Sequence, residues 1–200
     1  MADAVFTPSY LSYRNLPALA GLCSVEEAMV AGLSVEACVA RLKRYHYAFK
    51  RLHQIFNARL TAEPIYELKM GFSLHAHLCA EHVDALRKRV GEMREPPLGL
   101  DVVPEANLEI FFDEILAAPT TAELLAGVYG HAVPALREGM QRHIAQTNPL
   151  ADAPSVRLCR FALLELGDMV QFGQECLAAL VEAEAAAGME SWRGLLVDCL

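Results

Sequence analysis

Two histidines and a cysteine, His75, Cys79 and His82, follow one another at steps of four and three residues in a segment of helical period. Those steps rotate the side chains by about 40° and −20°, so all three converge on one helix face. Glu165 and Asp168 stand three residues apart on a later helix, about 60° from each other. Large apolar neighbours on both faces predict that these polar groups point inward. Imidazole with carboxylate suits iron, manganese or zinc, and a thiolate draws the preference towards zinc or copper. At about 1.5 Å rise per residue, His46, His75, His82, Glu138, Glu165 and Asp168 all fall roughly 20–33 Å from the same end of a helical bundle. The spacing therefore predicts a mid-bundle metal site drawn from His75, Cys79, His82, Glu165 and Asp168, with His46 and Glu138 as further ligands. With iron, open coordination positions would permit oxygen activation, the metal carrying the redox chemistry. The same groups also satisfy a second reading, a metal-free network in which each side chain hydrogen-bonds another. Neither reading singles out a catalytic residue.

The elements that must position these groups are helices, because nearly every long segment repeats with helical period and strand-like alternation is almost missing. Ser24-Val25-Glu26-Glu27 is a capping box opening a short helix that stops near Gly32. Ser34 caps the first long helix, whose stripe Val39, Leu42, His46, Phe49, His53, Phe56, Leu60 holds one face to about Leu60. Pro64 fits the first turn of a second helix with stripe Ile65, Leu68, Phe72, His75, Cys79, His82, Leu86, Met93. Glu95-Pro96-Pro97 stops that helix near Arg94. A minor helix, Pro104 to Ala117, lies in a long connection. Thr120-x-x-Glu123 caps a third helix running to about Gln146, and Pro134 should kink it about one turn upstream. A fourth is expected over roughly Ser155 to Ala187, with the inward stripe Leu158, Phe161, Glu165, Asp168, Phe172, Cys176, Ala179. Links that run short, long, short match a ferritin-like bundle with one long crossover between its second and third helices. Residues 1–33, irregular and carrying Pro8 and Pro17, precede this bundle of residues 34–188, and residues 189–200 form a short terminal segment.

Composition narrows the partners. The chain has 200 residues, 54% of them hydrophobic, with a formal net charge of −8. That content can bury a core, and the acidic balance supplies no cations for a nucleic-acid backbone or an anionic membrane surface. No apolar run reaches the ~18–20 residues of a bilayer span, and the first ten residues lack a basic start followed by an apolar stretch. Six dispersed cysteines without a CxxC predict reduced thiols in a cytoplasmic protein. Gly-rich phosphate loops, GxSxG and HExxH are missing.

The stretch Leu33 to Gly173 resembles uncharacterised bacterial ferritin-like-domain proteins. The residues that carry the resemblance are Leu42-Lys43-Arg44-Tyr45-His46-Tyr47, Tyr66-Glu67-Leu68-Lys69-Met70, Ala80-Glu81-His82 followed by Ala85-Leu86-Arg87, Thr147-Asn148-Pro149-Leu150, and Asp152 to Arg160. It covers about two-thirds of the chain. The resemblance implies an all-α, ferritin-like four-helix bundle with short terminal helices and, for the superfamily, dinuclear metal sites in oxidases, oxygenases and iron-storage proteins. Such proteins carry an acid three residues before the position of His82, where this chain has Cys79, and a histidine at the position of Asp168. Two functions stay open: a metal-dependent oxidoreductase acting on a small, fairly apolar substrate, and a metal-free scaffold serving as a binding module. The apolar Trp192-Arg193-Gly194-Leu195-Leu196 segment has three readings: docking on the bundle, pairing with a second copy as a homodimer, or leading into a further domain.

Overall fold

A computed structural model describes residues 10–93 and 98–200. The Pro8 and Glu95-Pro96-Pro97 signals and the expected helix end at Arg94 lie outside the described residues. Every regular element among those described is helical, and no helix among them is long and apolar enough to cross a membrane.

After two single-turn helices come α1 (Val25–Met29), α2 (Val35–Leu60) and α3 (Tyr66–Glu92). Then follow α4 (Ala106–Leu116), α5 (Thr121–Leu125), a π-helical segment (Ala126–Ala132), α6 (Val133–Gln146), α7 (Ala153–Leu180), α8 (Ala183–Gly188) and α9 (Glu190–Asp198). The starts are written in local chemistry. Ser24 with Glu27 and Thr120 with Glu123 form two-way capping boxes. The Ser34 hydroxyl accepts from the Ala37 amide, satisfying one of the donors that a helix start leaves open.

Tight links make α2–α3 and α6–α7 packed antiparallel pairs. The pairs meet through α3 against α7 and α2 against α6, so the four long helices are neighbours in the cyclic order α2, α3, α7, α6. The only long connection between them runs from α3 to α5 and lays α4 on α2. The core fills the interior with Leu42, Phe49, Leu52, Ile55, Phe56, Phe72, Phe111, Ile115 and Leu125, each essentially sealed from solvent.

Two departures from the sequence pattern shape this core. Seven π-helical residues end just before Val133-Pro134, where proline has no N–H to return to the preceding turn. The wider turn sets Tyr129 into the interior. The fourth long helix also ends earlier than its composition suggests. Val181 is extended, and the Ala-rich tract restarts as α8. The break turns α9 back, so Leu196 is fully buried and the Trp192 indole donates to Glu114 at 3.2 Å.

Close approach at α7 depends on glycine. A Cβ added at Gly173 would sit 2.2 Å from the Tyr129 Cβ, whereas one added at Gly167 would meet nothing within 4 Å. Gly173→Ala should therefore cost about 1–3 kcal/mol in urea unfolding, since the obstructing atom lies at the base of the side chain and cannot rotate away. Gly167→Ala, in open space on the same helix, should gain about 0.5–1 kcal/mol.

Candidate functional site

The stripe of α3 points inward as its spacing predicts. His75 and Cys79 are buried and His82 is half-buried beside α7. Seven residues of helix separate the two histidines, a rise of about 10 Å. Each finds its own partner. His75 Nδ1 and the Tyr129 hydroxyl are 2.7 Å apart, joining α3 to the π segment. Phe56, Tyr129 and Phe172 surround the ring at centroid distances of 5.6, 5.6 and 5.2 Å. Gly71 makes room, because a Cβ there would lie 2.5 Å from the Phe172 ring. Burial alone pushes the His75 imidazole down to about 4, so it stays neutral at physiological pH. The Tyr129 hydroxyl is driven well above its usual range, mainly by burial and further by Cys176 and Cys79.

His82 Nε2 donates to Glu165 Oε2 at 2.6 Å and stacks on Phe49 at 4.6 Å. The Glu165 side chain is 38% exposed, which places this pair at the rim of the α3–α7 contact. Between the histidines, Cys79 is sealed in the core. Burial, reinforced by the Glu165 charge, raises its thiol far above the ordinary range. A thiol so raised is neither a ready nucleophile nor a preformed thiolate ligand.

The remaining expected ligands lie apart from these. Asp168 is exposed on α7. The inward face of α7 is Ser155, Val156, Cys159, Ala162, Leu166, Met169 and Gly173, about one residue, or 100°, from the expected stripe. Phe161, one of that stripe, is 52% exposed. Glu138 is likewise outside, with a 67%-exposed side chain 3.6 Å from Arg142 one turn along α6. His46 is buried, but its Nδ1 has no hydrogen-bond partner among the described residues. Burial lowers its pKa first, and Lys50 and Arg87 lower it further. His53 Nδ1 lies 2.8 Å from the Ala76 carbonyl, a structural tie. Tyr66 is exposed, and Tyr45 donates to the Gly139 carbonyl at 2.7 Å beside a cavity that it helps to line. The residues present do not fit a dinuclear centre: two carboxylates face solvent, and the histidines are closed by a tyrosine and a half-exposed glutamate.

A second polar cluster sits at the end of the molecule where α2 and α7 begin. Asp152 Oδ2 accepts from His143 Nε2 at 3.0 Å and from the Thr147 hydroxyl at 2.9 Å. Asp152 Oδ1 takes Arg89 Nη2 at 3.2 Å, while Arg89 Nε donates to Ser155 at 2.9 Å. Burial works against this carboxylate, yet the bonds from His143, Ser155, Thr147 and Arg89 outweigh it and hold the group well below the usual range. Cys38 Sγ completes the cluster, 3.6 Å from the Thr147 hydroxyl. His143 Nδ1 has no partner among the described residues. Nearby, Asn148 donates to the Ala28 and Val30 carbonyls and accepts from the Leu150 and Ala151 amides, tying the N-terminal segment to the α6–α7 link. No motif or short spacing in the sequence marks this cluster. Its one local signal is the step of seven along α6 from the buried Leu136 through Met140 to His143.

Stability should depend on pH through His75. Below its ordinary value of 6.5, the unfolded chain takes up a proton that the folded imidazole refuses until about pH 4, so stability falls across that window and levels off beneath it. The loss should reach about 3 kcal/mol over the whole window. Urea unfolding at about pH 7 and about pH 5 should show a smaller acid loss in His75→Gln than in the native chain, with buried His46 supplying a remainder of the same sign.

Comparisons of the chain with protein-family models, curated proteins and solved structures give no match.

Proposed function

We propose that this chain is a ferritin-like helical scaffold without a dinuclear metal centre, working as a binding module whose central polar groups are structural. The observation that supports this reading is the pairwise closure of the core: His75 is taken by Tyr129 and His82 by Glu165. The cyclic neighbourhood of α2, α3, α7 and α6, with one long connection after α3, agrees with the ferritin-like arrangement. The metal-dependent oxidoreductase reading takes Asp168 as a ligand, with Glu138 as a further one, and both are exposed.

The binding surface in this reading is a groove of about 800 Å³ along the outer side of α7, lined by Leu22, Pro154, Phe161 and Leu164 beside Arg157 and Arg160. Phe161 and Leu164 are 52% and 68% exposed, and the Arg157 guanidinium stands 4.7 Å over the Phe161 ring. Apolar walls beside guanidinium groups suit a small amphipathic anion.

Two measurements test the two halves of the proposal. The double variant His82→Ala, Glu165→Ala should lose stability without changing the metal content of protein purified free of chelators and affinity tags. Iron or manganese lost in that variant would restore the metal-centre reading. An anilinonaphthalene sulfonate probe should bind the native chain with a rise in fluorescence, and Leu164→Glu should abolish the rise. Equal response of both proteins would remove the groove as the binding surface.

A further inference from the structure

We propose that Cys38, His143 and Asp152 form a mononuclear zinc site at the end of the molecule where α2 and α7 begin. Among the described residues this is the one set of three His, Cys, Asp or Glu side chains whose ligand atoms all lie within 4.8 Å of one another. Its donors are a sulfur, an imidazole nitrogen and a carboxylate oxygen, the mixture that zinc accepts. All three residues are buried, at 3%, 0% and 6% exposure. Tetrahedral zinc with bonds of about 2.0–2.3 Å sets its ligands about 3.3–3.8 Å apart, so no pair within 4.8 Å need contract by more than about 1.5 Å.

The surroundings suit the ion. Arg89 holds Oδ1 of Asp152 and is itself fixed by Ser155, which leaves Oδ2 on the side of His143. The ion would replace the His143 Nε2–H···Oδ2 bond, the ring proton moving to the unpartnered Nδ1 and the Cys38 thiol proton leaving to solvent. A carboxylate oriented through its outer oxygen is the usual support for a ligating one. The Thr147 hydroxyl, 2.9 Å from Asp152 Oδ2 and 3.6 Å from Cys38 Sγ, presents an oxygen beside the three donors. A Cys38 thiolate and Asp152 would neutralise a divalent ion, while Arg89 is paired with Glu92 at 3.5 Å. Burial raises the Cys38 thiol and Arg41 acts against that, so the ion's own charge must hold the thiolate. Because the ligands come from the first turn of α2, the last turn of α6 and the residue before α7, the ion would clamp three helix ends.

The test uses the full chain loaded with cobalt(II) as a spectroscopic stand-in for zinc. One equivalent should give the visible bands of tetrahedral cobalt and a thiolate-to-cobalt charge-transfer band, displaced by one equivalent of zinc. Cys38→Ser should lose the charge-transfer band, while Cys79→Ala should keep it. Zinc should also raise the melting temperature of the native chain and not that of Cys38→Ser. A native chain that neither takes up cobalt with these bands nor gains stability from zinc overturns the proposal, since it involves no variant that could misfold. A band that survives in Cys38→Ser and vanishes in Cys79→Ala overturns it too. That pattern would place the metal in the α3 core, so this proposal and the reading of a metal-free core fail by different results.

Discussion

Burying His75 within a shell of aromatic rings is the constraint on which most of this interior depends. An imidazole without a partner would cost several kcal/mol there, so Tyr129 must bring its hydroxyl to within 2.7 Å. Tyr129 reaches that position from the π segment that precedes Pro134, and its own side chain presses on α7 where only glycine leaves room, at Gly173. Phe172 closes the shell because Gly71 on α3 has no Cβ to oppose it. A proline, two glycines and one wide helical turn thus serve a single hydrogen bond.

The order of helices could be read directly from the chain, and so could the inward faces of α2 and α3. Of the expected stripes, Val39, Leu42, His46, Phe49 and Phe56 are buried on α2 and Leu68, Phe72, His75, Cys79 and Leu86 on α3, while His53, Leu60, Ile65, His82 and Met93 are part-buried. The third long helix was legible from Thr120 and Pro134, but a π segment has no spacing signature of its own. The face of α7 was misread for a physical reason. Where helices approach closely, the buried side is built from Ser155, Cys159, Ala162 and Gly173, while large residues such as Phe161 and Leu164 stay outside. A pattern that follows the bulky apolar residues then selects the wrong side, and Asp168 was carried inward with them.

The cluster around Asp152 illustrates a different limit. Its members stand at positions 38, 89, 143, 147, 152 and 155, on elements brought together only by the fold. No local spacing relates Cys38 to His143. The two polar systems also differ in their closure. In the α3 core each imidazole meets one partner. At the other end, one carboxylate gathers three donors from two separate stretches of chain beside a thiol.

The central claim, that the core histidines are sealed and paired, is tested most directly by following the ¹⁵N resonances of the His75 imidazole through an acid titration. A neutral ring, hydrogen-bonded to Tyr129 and protonated only near pH 4 or on unfolding, is the result this account requires. A ring that titrates near its ordinary value of 6.5 in the folded chain would contradict it, because such a group must exchange with water rather than stand within an aromatic shell.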